Sequence, residues 1–316
     1  MRCCRITELK VFTCDHYVVP LPPRHRFPIR KYALLREAVA ASGVVPLEDL
    51  VAPEPATDEQ ILRVHDPDYL ERVKMGRLTK VELRRIGFPW SPEIVMRTRC
   101  SVGGTICACR AALSDGVAVN LAGGTHHAFR DHGQGYCFFN DSVIAIRTMQ
   151  AEARIQRAVV LDGDVHQGNG TAAIAAADPT IFTFSAHSES NFPLRKERSD
   201  LDIGLPDGTG DADYLRAWET GVRRALSLFP VELAVYLAGA DPYEGDLLGH
   251  LALTKGGLAE RDQLVFELCA RAGIPVATLM AGGYARHVED TVEIHQQTVR
   301  LAAQSARRYP LSLWPE

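Results

Sequence analysis

The sequence predicts an α/β protein, a single doubly wound domain on a parallel sheet covered by helices on both faces. Three observations predict it. Short apolar runs at 117–122, 158–161 and 233–237 lack the alternation of a half-wet sheet, so both of their faces are buried. Segments of helical period separate these runs one by one. Polar residues of unusual chemistry follow strand after strand, and in such sheets ligands bind beyond the carboxyl ends of the strands. A chain of 316 residues could hold one domain or two. No linker, internal repeat or low-complexity tract divides it, so residues 1–316 read as one.

Residues 9–13 are apolar enough for a first strand. They run through Cys14-Asp15-His16-Tyr17 into Pro20-Leu21-Pro22-Pro23, a cluster that forbids regular structure and reads as a surface loop. Tyr32, Leu34, Leu35, Ala38 and Val39 give a helix that ends near Ser42-Gly43. Residues 57–74 read as one or two helices, with Thr57 and Asp58 as cap residues and Asp66-Pro67 as an interruption. Gly87-Phe88-Pro89-Trp90-Ser91-Pro92 is a loop whose aromatics are expected to be exposed. Residues 93–113 form a long helix in which Gly103-Gly104 allows close packing on a neighbour. Strand and helix then alternate. Strands are expected at 117–122, 158–161, 180–185, 233–237 and 276–280, and helices at 141–153, 171–177, 213–228, 255–272 and 287–307.

Composition excludes several functions. Hydrophobic residues make up 46% of the chain and charged ones 23%, which suits a soluble protein with a large core. The formal net charge is -4 with no block of like charge, so neither a nucleic-acid stripe nor a polybasic membrane anchor is expected. No apolar run approaches the roughly 20 residues of a membrane span. None of the eight cysteines (Cys3, Cys4, Cys14, Cys100, Cys107, Cys109, Cys137, Cys269) forms a C-x-x-C pair. Residues 1–10 lack the apolar core of a signal peptide. The expectation is a cytoplasmic protein with reduced thiols.

The chemistry centres on Val159-Val160-Leu161-Asp162-Gly163-Asp164-Val165-His166-Gln167-Gly168-Asn169-Gly170. If the segment stays extended, Asp162, Asp164 and His166 point to one side and can converge. An Asx-rich turn with a capping His is the plain alternative for this stretch alone. Four further strand ends weigh against it: Gly123-Gly124-Thr125-His126-His127, Ser185-Ala186-His187, Gly239-Ala240-Asp241 and Gly282-Gly283-Tyr284. A catalytic zinc site uses three protein ligands and an open position for water, and Asp164, His166 and Asp241 supply two carboxylates and an imidazole. Such an ion acidifies its water. His126 and His127 are of the right type to move the proton, and Tyr284 to hydrogen-bond a developing oxyanion.

These residues fall into motifs. Gly124-Thr125-His126-His127, Gly135-Tyr136-Cys137-Phe138-Phe139-Asn140-Asp141, Asp162–Gly170, Gly239-Ala240-Asp241 and Gly282-Gly283-Tyr284 together resemble the zinc-dependent histone deacetylase superfamily. Trp90-Ser91-Pro92-Glu93 and Tyr243-Glu244-Gly245-Asp246-Leu247-Leu248-Gly249 look most like its class IV branch and bacterial relatives. The resemblance implies the arginase/deacetylase fold, with an eight-stranded parallel sheet. It implies metal ligands Asp164, His166 and Asp241, with His127 as general base and His126 as electrostatic partner. It further implies that Asp162 holds His126, that Asn169 holds His127, and that Tyr284 polarises the acyl carbonyl. Tyr136 and Phe192 would wall the substrate tunnel beside Gly135. A monovalent cation, usually potassium, is expected beside Asp162, Asp164, His166 and Ser185. Zinc and ferrous iron both suit the ligand set.

Three departures from the family pattern carry expectations. Asn169 stands where several relatives have Asp, which should leave the His127 pKa lower. Thr125 stands where many have a large aromatic, which implies room for an acyl group longer than acetyl. Leu248 stands where polyamine-selective members have an acidic gatekeeper. The expected substrate is therefore an acyl-lysine of a protein or peptide, cleaved by a metal-dependent amidohydrolase. Alternatives are a small acylated amine of the acetoin-utilisation or acetylpolyamine type, a dinuclear manganese enzyme of arginase type, and a non-catalytic acyl-lysine binder. The oligomeric state is not legible.

Overall fold

The structure is a computed structural model that describes residues 9–17, 19–22 and 25–311. Cys3, Cys4 and the Pro23 end of the proline loop lie outside the described residues. The strands are β1 (Lys10–Phe12), β2 (Leu50–Val51), β3 (Val117–Asn120), β4 (Ala158–Asp162), β5 (Ile181–Ser188), β6 (Leu201–Leu205), β7 (Leu233–Leu237) and β8 (Val276–Leu279). They form one eight-stranded sheet in the order β2-β1-β3-β8-β7-β4-β5-β6, and every pairing is parallel. The helices are α1 (Lys31–Ser42), α2 (Asp58–Leu62), α3 (Pro67–Lys74), α4 (Lys80–Ile86), α5 (Pro92–Asp115), α6 (Asp141–Ala151), α7 (Asn169–Ala175), α8 (Asp211–Leu228), α9 (Lys255–Arg271) and α10 (Val288–Arg308).

Alternate residues of a strand face opposite sides of the sheet, and both sides are dry. Val160, Val235, Leu237 and Ala277 pack in a core with Ile106 of α5 and Val143 and Ile146 of α6. Val159, Leu161 and Tyr236 pack in a second core with Val39 of α1, Trp218 of α8, Val265 of α9 and Val299 of α10. This is why the central strands carry no polar face. Expected boundaries hold where local chemistry is strong. Gly43 ends α1 in the left-handed region, Thr57 and Gln60 form a capping box on α2, and Ser91 accepts from the Ile94 N–H at the start of α5. A Cβ on Gly103 would sit 1.9 Å from the Glu54 carbonyl oxygen, so α5 does pack closely there.

Three elements escape the sequence reading. β2 has only two residues, and α4 is a short helix capped by Thr79 and Glu82. β6 is an edge strand whose burial alternates, so it lacks the continuous apolar run of its neighbours. The 87–92 loop is also corrected: Phe88 is buried and Trp90 half-buried. Phe88 packs on Phe27 at 4.8 Å and Tyr136 at 5.3 Å between ring centroids. Ser185-Ala186-His187 lies inside β5 rather than after it. The five expected strand ends belong to β3, β8, β7, β4 and β5, which are contiguous in the sheet. Residues spread over about 160 positions of chain thus meet along one edge.

Candidate active site

Asp162 ends β4, and the chain leaves the sheet in a bend that carries Asp164 and His166. Asp241 arrives from the loop after β7, the direct neighbour of β4. Ligand atoms of Asp164, His166 and Asp241 all lie within 4.8 Å of one another. Asp164 Oδ1 accepts from the His166 backbone N–H at 2.9 Å, and its Oδ2 from the Gly282 N–H at 2.8 Å. Asp241 Oδ1 accepts from the Val165 N–H at 2.9 Å, while its buried Oδ2 has no well-formed hydrogen bond and only the His166 Nδ1 beside it, at 3.2 Å. A buried carboxylate oxygen left without a well-formed hydrogen bond is costly. Burial, and then the charge of Asp164, push the Asp241 carboxyl up to about 7. Two carboxylates and an imidazole around an orphaned oxygen fit a divalent cation of borderline softness. Gly282 keeps the place open, since a Cβ there would stand 1.9 Å from Asp241 Oδ2.

Asp162 does not join this cluster, because the extended geometry ends with it. Its Oδ2 lies 2.7 Å from His126 Nδ1. Asn169 Oδ1 lies 2.7 Å from His127 Nδ1. The two histidines are buried with ring centroids 4.1 Å apart, yet their protonation differs. Burial opposes a charge on His126, but the carboxylates of Asp162 and Asp164 outweigh it and raise the pKa to about 9. Burial, followed by the positive fields of His126 and His166, holds His127 well below its usual value. The amide of Asn169 offsets this only weakly. With Nδ1 committed to Asn169, His127 presents Nε2 as a free acceptor.

Tyr284 follows the Gly282-Gly283 turn after β8. Its backbone N–H donates to Asp246 Oδ2 at 2.6 Å, and its carbonyl accepts from the Leu247 N–H at 3.1 Å. Burial and the nearby carboxylates of Asp164 and Asp241 hold its phenol well above the usual range, so the hydroxyl stays a donor. His126, His127, Asp164, His166 and Tyr284 line one cavity of about 460 Å³ with Thr125, Gly135, Tyr136, Phe192 and Leu248. Phe192 is 41% exposed and stands edge-on to His127 at 4.9 Å, which places it at the mouth. The Tyr136 and Tyr284 ring centroids are 5.9 Å apart. Inward, the lining continues to buried Tyr32, Ile94, Arg97, Thr98 and Ser101. Thr125 is half-buried, its hydroxyl 2.6 Å from the Phe139 carbonyl oxygen and from Asp141 Oδ1. Ser185 pairs in register with Asp162, and its Oγ lies 3.0 Å from His187 Nδ1. It does not line the cavity.

Sequence reasoning missed the residues that hold this arrangement. Asp246 receives N–H groups of Leu248, Gly249 and Tyr284, tying two loops together. Arg261 on α9 is fully buried, and its Nη1 donates to the Gly163 carbonyl at 3.0 Å and the Gly239 carbonyl at 2.7 Å. It thereby clamps the β4 and β7 ends that carry Asp164 and Asp241. Asp141 gathers N–H groups of Gly124 and Thr125 at the foot of the paired histidines. Asp141 and Asp246 stand in the quoted motifs, but nothing in residue type marked their partners. Arg261 sits in a helix that reads as ordinary.

Comparison with known proteins bears on the family and the fold. A family profile for the histone deacetylase domain matches residues 25–299. An uncharacterized protein of Picosynechococcus sp. is 46% identical, over 90% of this chain and 95% of its own. Histone deacetylase 2 of Arabidopsis thaliana is 30% identical, over 85% of this chain and 73% of its own. Among solved structures, an HDAC homolog complexed with SAHA superposes with a TM-score of 0.82 at 23% identity, covering 94% of this chain and 84% of that one.

Proposed function

We infer a reaction from one premise: the chain belongs to the histone deacetylase family, hydrolases that act on amide bonds. The proposed reaction is metal-dependent removal of acyl groups from lysine Nε-amines of proteins or peptides. One observation supports it above the others. Asp164 and His166, two members of a ligand triad completed by buried Asp241, line one cavity with an oriented His127 held neutral and a Tyr284 held protonated. Asp164, His166 and Asp241 would hold the ion, zinc or ferrous iron. Such an ion, when bound, acidifies water and polarises a carbonyl.

The chain's own groups do the rest. His127 Nε2 takes a proton from the attacking water and returns it to the leaving amine. His126, kept charged by Asp162, adds positive field beside it. The Tyr284 hydroxyl donates to the carbonyl oxygen as negative charge develops there. Tyr136 and Phe192 would flank the lysine stem, beside Gly135 and Leu248. The cavity that continues past Thr125 favours acyl groups longer than acetyl. A monovalent cation beside Asp162, Asp164, His166 and Ser185 belongs to the same proposal.

The test is a panel of acyl-lysine peptides from acetyl to myristoyl, with acetylpolyamines alongside, assayed with and without a chelator. The expected result is hydrolysis of the peptides that stops on chelation and returns with zinc or ferrous iron. Turnover confined to the acetylpolyamines would replace the lysine reading with a small-amine one. No turnover of any amide would overturn the proposal.

A further inference from the structure

The inner end of the cavity carries a charge that the reaction above does not use. Arg97 projects from α5 and is 93% buried, at 7% exposure. Its guanidinium carbon lies 4.1 Å from the centre of the Tyr32 ring. The Nζ of Lys31, itself buried, lies 5.3 Å from the centre of that same ring. Lys31 donates to the Ala281 carbonyl at 3.4 Å and the Gly283 carbonyl at 3.2 Å. Among the described residues the Arg97 Nη2 is a buried donor without a partner, and the side-chain hydrogen-bond partner of the guanidinium is the Tyr32 hydroxyl rather than a carboxylate. The groups that act most strongly on the charge of Arg97, against the cost of burial, are Cys14, Tyr32 and Cys100, none of them a carboxylate.

The Nη2 of this buried guanidinium is a donor left unfilled, which is costly in a dry site. The group that completes it best is a carboxylate, which meets its planar donors two at a time. Arg97 lines the cavity that also holds Asp164, His127 and Tyr284, with Thr98 and Ser101 beside it as hydroxyl donors. An acyl chain threaded past the scissile carbonyl therefore runs toward a cation. Resting on the deacylase reading above, we propose that Arg97 forms a carboxylate subsite and that the preferred acyl groups are dicarboxylic, ending in a carboxylate rather than a methyl. A methyl-ended chain of equal length would dehydrate Arg97 without replacing what it loses. Sites built on polar partners reject analogues that lack them. Hydrolysis then adds water across the amide, giving the free lysine amine and a dicarboxylate.

The test compares matched acyl-lysine peptides on the metal-loaded protein: butyryl against succinyl, and pentanoyl against glutaryl. The acid-ended member of at least one pair should show kcat/KM about tenfold or more above its neutral partner. Arg97→Gln should collapse that ratio, chiefly through KM, and Arg97→Lys should keep part of it. Circular dichroism establishes that each variant is folded, and the wild-type ratio stands as a test by itself. A neutral preference in every pair, or a ratio that survives Arg97→Gln, would overturn the subsite while leaving the deacylase reading intact. Hydrolysis of no acyl-lysine would sink both. Should acetate and butyrate inhibit the wild type but not Arg97→Gln, with ratios near one, Arg97 would serve only the released acid and the proposal would fail.

Discussion

His127 and Asn169 meet at 2.7 Å, ring Nδ1 to amide Oδ1, while 4.1 Å away the His126 ring rests on a carboxylate at the same distance. Burial and the positive fields of His126 and His166 keep His127 neutral, and its partner Asn169 brings no charge to reverse this as Asp162 and Asp164 do for His126.

Asn169→Asp should therefore change the pH profile more than the fold. His127 in the wild type stays neutral to well below pH 6.5, so the base remains available as the pH falls. A carboxylate partner would stabilise the imidazolium and raise its pKa, typically by about 1–3 units. Activity in the variant should then be lost at higher pH on the acid side. The midpoint of the acid limb of kcat/KM reads this directly, and an unmoved limb would detach Asn169 from the titration of His127.

Asp246 and Tyr284 should behave as one unit. Tyr284→Phe removes one oxyanion donor and should lower kcat about 10²–10³-fold. Asp246→Asn places an amide N–H against the Tyr284 N–H in one orientation and removes a carboxylate charge in both, so Tyr284 loses its anchor. It should cost part of the same factor. The double variant should be no slower than Tyr284→Phe alone, because an anchor is worthless once the hydroxyl is gone. Multiplying losses would show that Asp246 acts elsewhere.

Legibility follows from whether a residue's chemistry is rare or common. Two histidines after two glycines, or Asp-x-Asp-x-His after a buried strand, are rare patterns, and each lies at the sheet edge where it was expected. Asp162 shows the limit of periodicity. The rule of two assumes a continuing strand, but β4 ends at Asp162, so only Asp164 and His166 share the ligand cluster. Arg261 shows the limit of residue type. Its value lies in joining the Gly163 and Gly239 carbonyls, a relationship that exists only once β4 and β7 are neighbours. Edge strand β6 is illegible for a related reason, since its burial alternates as at a sheet rim and it lacks the continuous apolar run of the dry centre.

Arg261→Met tests that clamp. The side chain is fully buried and pairs with Asp262, which also accepts from Tyr236 and Thr298. Removing one member of a buried pair costs about 3–5 kcal/mol, so the urea midpoint should fall markedly. The released carbonyls should also loosen the Asp164 and Asp241 loops, lowering bound metal per folded chain. Full metal content in a destabilised variant would confine Arg261 to stability.

His65 makes the last prediction, because it is not among the cavity-lining residues yet holds the loop that precedes α6. Its Nε2 accepts from the Asn140 N–H at 2.9 Å, and its Nδ1 lies 3.2 Å from the Arg130 carbonyl oxygen. One nitrogen must therefore stay unprotonated. Burial lowers its pKa from 6.5 to about 4. A depressed histidine pKa means that the unfolded chain takes up the proton first. The stability of the neutral form is thus present in full above pH 6.5 and drains away as the pH falls toward 4. The whole effect is on the order of 3 kcal/mol. His65→Gln should cost stability at pH 7, but it removes the titration, so the gap to the wild type should narrow between pH 7 and 4.5. Chemical denaturation at both values measures it, and a gap that stays constant would mean that His65 does not titrate in this window.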